Sequence, residues 1–99
     1  MYITQFTRWK GGTPEAMTKA AKQAKVHYEK HGAEFFRMSR FYTGAWAGEW
    51  LVVSRFANWE AYGKAQDALA KDAEFQKLLA HVMGLAEMTG RSIAVGVDL

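Results

Sequence analysis

The chain has 99 residues, 49% hydrophobic and 14% aromatic, with a net charge of +3 from 13 basic and 10 acidic side chains. That length makes one domain, and that apolar content excludes a disordered chain, because burial can offset the conformational entropy lost on folding. There is no cysteine, which excludes disulfides, thiol catalysis and thiolate metal sites, and so mild a charge is not the dense basic stripe of a nucleic-acid footprint.

Tyr2 to Lys10 is rich in aromatic and β-branched residues and has no breaker, so it reads as a strand rather than as a leader. No apolar run approaches membrane-spanning length. The expected location is therefore the cytoplasm, with no membrane partner. Gly11-Gly12 ends the strand and Thr13-Pro14-Glu15 opens a helix. Thr13 caps free N–H groups, Pro14 suits the first helical position, and Glu15 favours the positive helix end. Met17, Ala20, Ala21, Ala24 and Tyr28 recur at helical spacing and form a buried stripe. Lys19, Lys22, Lys25 and Lys30 are interleaved with Glu15 and Glu29 and read as a solvated face. Gly32 stops the helix.

Glu34 to Tyr42 is the second strand, Thr43 to Gly48 a loop, and Glu49 to Phe56 the third strand. So short a link makes these two strands an antiparallel hairpin. Asn58 caps a second helix that runs through Trp59, Tyr62, Gln66 and Leu69. Asp72 caps a fresh helical segment containing Phe75, Leu78, Leu79, Val82 and Met83, with Gly84 as its stop. Arg91 to Val97 is the last strand. Residues 1–99 thus read as one α+β domain of order βαββαβ. Its simplest fold is ferredoxin-like, a four-stranded antiparallel sheet with the helices on one face.

The strands are apolar on both sides. Trp50, Val52 and Phe56 oppose Leu51 and Val53; Phe36, Met38 and Tyr42 oppose Phe35 and Phe41. A strand with one wet face should alternate. The face without helices spans roughly 350 Å² in plan, and an aromatic patch of that size marks an interface. The expected partner is a second copy of the chain, packed sheet to sheet.

Several side chains are candidates for chemistry. His27 and His31 lie one helical turn apart and can share a metal. The sequence has no third ligand nearby and no His-Glu-x-x-His order, so no metal is expected. Arg37 and Arg55 share the parity of Phe35 and Leu51, whereas Arg40 shares that of Phe36 and Met38. An arginine facing a pocket fixes a carboxylate or enolate; otherwise it pairs with Glu34, Glu49 or a subunit partner. Trp9, Trp46, Trp50 and Trp59 are core or interface anchors or line an aromatic cavity. Trp50, Arg40 and Trp9 are the ligand-binding candidates. Tyr2-Ile3-Thr4-Gln5-Phe6 is faintly like the first-strand motif of RNA-recognition domains, but Glu49 stands where the phosphate backbone would pass, so no nucleic acid is expected. Gly11-Gly12 before a helix hints at an anion site, and Glu15 argues against it.

The stretches Phe56-Ala57-Asn58-Trp59-Glu60-Ala61-Tyr62 and Lys71-Asp72-Ala73-Glu74-Phe75-Gln76-Lys77-Leu78, with the order, size and open sheet, resemble the dimeric α+β barrel superfamily. That group includes antibiotic-biosynthesis monooxygenase-like and NIPSNAP-like proteins. The second stretch has Ala73 where proline is common. The resemblance implies a homodimer with a small aromatic-lined pocket that takes a small organic ligand. It implies cofactor-independent monooxygenase-like or isomerase-like chemistry, or a non-catalytic binding dimer. It also sets the first helix at the pocket mouth, which makes His27, His31 and Tyr28 the catalytic candidates. Haem-degrading members resemble one another in an Asn, Trp and His set. Here Gln5 replaces the Asn and His81 lies too far beyond Trp59, so no haem or other cofactor is expected.

Overall fold

A computed structural model describes all residues, 1–99. Its elements are β1 (Ile3–Gly11), α1 (Pro14–Lys30), β2 (Phe35–Arg40), β3 (Trp50–Phe56), α2 (Trp59–Lys71), α3 (Ala73–Leu85) and β4 (Ala86–Val95). The four strands form one antiparallel sheet in the order β2-β3-β1-β4. This is the ferredoxin-like α+β arrangement. No helix is long and apolar enough to cross a membrane.

Local chemistry sets the helix starts. Thr13 Oγ1 accepts from the Ala16 N–H at 3.1 Å, and Asn58 Oδ1 accepts from the Ala61 N–H at 2.8 Å. Asp72 Oδ1 accepts from the N–H groups of Glu74 and Phe75 at 3.1 and 3.2 Å. Each satisfies donors that the first helical turn leaves free. Asp72 is the single non-helical residue between α2 and α3.

Most strand ends lie within one or two residues of the sequence reading, and three boundaries differ in ways that matter for the fold. β2 ends at Arg40, and residues 41–49 form the connecting loop. Gly84 lies inside α3 rather than stopping it. β4 starts at Ala86, with no loop after α3, because Gly11 of β1 is already paired with Ala86. The β1–β4 register shifts between Arg8 and Trp9. Gly90 sits at this irregularity, where a Cβ would meet Arg8 Nη2 at 2.6 Å, so a side chain there would displace the Arg8 guanidinium.

One face of the sheet carries the core. Ile3, Phe36 and Phe56 pack against Tyr28 of α1, Ala65 and Leu69 of α2 and Phe75 of α3. A second cluster joins Trp9 and Trp50 to Met17. The register places Phe6, Arg8, Leu51, Val53, Arg55, Phe35 and Arg37 on the opposite face, which no helix covers.

Candidate functional site

The covered face does not fill its own interior. A cavity of about 200 Å³ lies between sheet and helices. Trp9 and Thr7 of β1, Phe36 and Met38 of β2 and Val52 of β3 line its sheet side. Met17, Ala20, Ala21, Ala24 and Tyr28 of α1 form one wall; Leu69 of α2 and Phe75, Leu79 and Val82 of α3 form the other. The alanines of α1, at helical spacing, leave the room. A larger residue at any of them would take up space that the sheet and α3 do not fill.

The polar lining is sparse: Thr7, Tyr28, Gln66, Gln76 and Arg91. Gln66 is the informative member. Its Nε2 is buried and has no hydrogen-bond partner. A buried amide donor left unpaired costs about 1–3 kcal/mol, so such a group marks a place where an acceptor belongs. Tyr28 is the second donor. The Tyr62 hydroxyl donates to Gln5 Oε1 at 2.9 Å, and Gln5 Nε2 points at the Tyr28 oxygen at 3.5 Å. The Tyr28 hydroxyl proton is therefore free to be donated elsewhere. Burial pushes the Tyr28 phenol up from its ordinary value of 10, against the lowering influence of Arg91 and of the Gln5 hydrogen bond. Tyr28 is a neutral donor at ordinary pH, not a base. No aspartate, glutamate or histidine lines the cavity.

Of the residues singled out from the sequence, Trp9 and Tyr28 line this cavity. Trp50 is buried beside Trp9 and Met17, outside the lining, with its Nε1–H donating to the Gly11 carbonyl at 2.9 Å. Arg40 is exposed, stacked 4.6 Å from the Trp50 ring, and its Nε donates to the Gly48 carbonyl at 3.1 Å. His27 and His31 lie outside the lining and meet on one carboxylate. His27 Nδ1 and His31 Nε2 stand 3.2 and 2.9 Å from Asp72 Oδ2. His31, then the Phe75 N–H, then His27 hold the Asp72 carboxyl well below the usual carboxylate range. No group of three or more His, Cys, Asp or Glu side chains is placed to hold a metal ion.

Gln66 and Arg91 were not read as site residues in the sequence. The available signal was the stripe Tyr62-Gln66-Leu69, which puts a glutamine on the apolar side of its helix. Arg91 gave none. Its place depends on β4 lying beside β1.

On the open face, arginines stack on aromatic rings: Arg37 on Phe35 at 4.3 Å, Arg55 on Tyr2 at 3.8 Å and Arg8 on Trp46 at 4.1 Å. Arg8 Nη1 also pairs with Glu49 at 3.3 Å, and Glu49 accepts from the Thr89 hydroxyl. Arg55 Nε lies 3.0 Å from Glu34 Oε1, without hydrogen-bond alignment. Between them the side chains of Phe6, Leu51 and Val53 are only partly buried.

No family model matches the chain, and no curated protein matches it in sequence. Solved structures do match. A point mutant of SnoaB, a cofactor-independent oxygenase from Streptomyces nogalater, superposes with a TM-score of 0.77 at 12% identity, over 99% of this chain and 95% of that one. A NIPSNAP family protein of unknown function from Agrobacterium tumefaciens gives a TM-score of 0.70 at 12% identity, over 94% and 86%. A second NIPSNAP family protein from the same bacterium gives 0.68 at 13%, over 99% and 95%. Identities this low carry the fold and not the activity. The resemblance read from the sequence thus meets its structural counterpart: the chain has the ferredoxin-like fold shared by a cofactor-independent oxygenase and by NIPSNAP family proteins.

Proposed function

We propose that the chain is a homodimeric, cofactor-independent enzyme that binds a one- or two-ring aromatic enol or phenol in the sheet–helix cavity and stabilises its anion. The observation that carries this reading is the unpartnered Gln66 amide in an otherwise apolar cavity. The volume of about 200 Å³ exceeds the ~150 Å³ apolar cavity that holds a benzene ring, and falls below the usual range for drug-sized ligands. The apolar walls take the ring. Gln66, the Tyr28 hydroxyl and Arg91 supply donors for its oxygen. Preorganised donors aimed at that oxygen favour its charged form, and its proton passes to solvent water, because no base lines the cavity. The anion then reacts at ring carbon, with dioxygen in a monooxygenase-like reaction or with a proton in an isomerase-like one. For 1-naphthol the oxygenation balances as naphthol plus dioxygen giving 1,4-naphthoquinone plus water. The hydroxyl and C4 hydrogens leave, one oxygen atom becomes the C4 carbonyl, and the other leaves as water. The fold shared with SnoaB supports the oxygenation branch.

A second reading, a non-catalytic small-molecule-binding dimer, is favoured by the absence of any carboxylate or imidazole from the lining. Such a site has donors but no base. The dimer itself is supported by the partly buried strip of Phe6, Leu51 and Val53 on the open face. Fluorescence titration with 1-naphthol, followed by oxygen uptake, separates the readings. Saturable binding with protein-dependent naphthoquinone formation supports the enzyme. Saturable binding without turnover supports the binder. Neither binding nor turnover refutes both.

A further inference from the structure

The cavity is bounded by two helices that meet at one residue. Leu69 at the end of α2 and Phe75 at the start of α3 both line it, and Asp72 is the only non-helical position between them. Across this break the Leu69 carbonyl accepts from the Asp72 N–H at 3.3 Å and from Gln76 Nε2 at 3.0 Å. The Asp72 backbone has φ −81° and ψ 104°, so rotation about that one ψ swings α3 against α2. The Asp72 side chain has two separate tasks. Its Oδ1 caps α3. Its Oδ2 takes His27 and His31 of α1, which supplies the opposite cavity wall. The His27 ring also meets Phe75 edge-on, with centroids 5.8 Å apart. Capping needs one oxygen and no histidine. The second oxygen therefore serves something other than the helix start.

We propose that the Asp72 carboxylate, gripped by His27 and His31, is a positioning device that fixes the α2–α3 angle and so sets the width of the cavity for its ligand. The inference rests on reading the cavity as a ligand site. In the neutral rings both bonds form only if His27 carries its proton on Nδ1 and His31 on Nε2, two opposite tautomers on one helix. Charge-assisted bonds to an ionised carboxylate are stronger than neutral ones. One ion thus holds three helices in register beside the pocket.

The test cuts the clamp from each side. Asp72→Ser keeps a good cap, but its single oxygen cannot also reach two histidines. His27→Phe/His31→Leu keeps Asp72 as cap and keeps a ring against Phe75. Asp72→Ala loses cap and clamp together. The probe is 1-naphthol, followed by fluorescence, with amide exchange over residues 69–76 as a ligand-independent readout. Asp72→Ser is expected to melt above Asp72→Ala yet to bind naphthol about fivefold more weakly than the parent, an effect typical of residues sharing one network. The histidine variant is expected to match it, the combination to add nothing, and exchange over 69–76 to quicken in both. Imidazole nitrogen shifts are expected to show the two tautomers in the parent. Unchanged affinity and exchange in Asp72→Ser overturn the proposal, as does a loss in Asp72→Ser that the histidine variant does not share. If the parent binds no naphthol, the ligand-site reading fails by itself, and exchange alone then decides whether the clamp holds the hinge.

Discussion

On the covered face of the sheet, Gln66 has a buried donor with no partner, and Tyr28 keeps its hydroxyl proton uncommitted. On the open face Arg8, Arg37 and Arg55 each lie on an aromatic ring. One face holds polar groups in reserve inside an apolar enclosure. The other spends them on its own rings and leaves apolar side chains between. A donor kept dry and unpaired costs stability unless a ligand completes it. A cation over a ring already has an electrostatic partner, and Arg55 Nε, the one buried donor there without an aligned hydrogen bond, lies 3.0 Å from the Glu34 carboxylate. Under the proposed function, the covered face is the one that takes a small molecule and the open face the one that takes a second copy of the chain.

Four measurements break or sharpen that contrast. The largest effect is expected at Phe56, which is 0% exposed. Phe56→Ala should lower the unfolding free energy by about 3–5 kcal/mol, equally at every protein concentration in denaturant titrations. Phe6→Ala, on the open face, should cost less, and its cost should grow with concentration; equal, concentration-independent losses would erase the distinction between the faces. Next comes Val53→Lys, which puts a charge opposite Phe6 and Arg37. Light scattering should show twice the chain mass of 11.2 kDa for the parent and the single-chain mass for the variant. A parent that runs as a monomer at micromolar concentration sinks the interface.

The third is Gln66→Leu. Removing an unpaired buried donor should leave the ligand-free chain as stable as before or about 1 kcal/mol more so. The same change should raise the 1-naphthol Kd about tenfold, which is ~1.4 kcal/mol. A loss of stability with unchanged affinity would mean that the amide is satisfied in solution.

The smallest effects are slopes of stability against pH, and they bound the covered face at both ends. Tyr28 has its pKa raised in the folded chain. The unfolded chain therefore ionises first, and the tyrosine's stabilising contribution, complete below about pH 10, fades as pH climbs through the folded value. Tyr28→Phe should flatten this alkaline limb of the melting temperature. Asp72 is lowered. Its contribution is present above the unfolded value of about 4 and fades as pH falls through the folded one. Asp72→Ser should flatten the acid limb.

Much of the fold was legible because its signals are local. Thr13, Asn58 and Asp72 announce helix starts within three residues of sequence, and parity alone sorted Phe36 from Phe35 and Trp50 from Leu51. The start of β4 was not legible, because Ala86 becomes strand through pairing with Gly11, 75 positions away in the chain. The site was less legible than the fold. Tyr28 and Trp9 stood out as aromatic residues with candidate roles. His27 and His31 stood out as a pair, but their partner lies 45 and 41 residues on, and nothing near them in sequence points to it. Gln66 looked like one polar residue in an amphipathic helix. Its significance is an absence, the missing partner, and no sequence pattern encodes that.

The sheet order carries one more consequence. β1 lies between β3 and β4, so the first strand made must wait for the last. The Gly96 N–H closes on the Tyr2 carbonyl at 2.8 Å, joining the two ends of the strand pair. Pairings so distant in sequence form late, because loop closure precedes any contact that rewards it. Until residue 91 has left the ribosome, the cavity lacks its arginine and one edge of its floor. A nascent chain therefore has hydrophobic walls before it has a pocket, and in that interval it exposes the apolar surface that the folded chain covers.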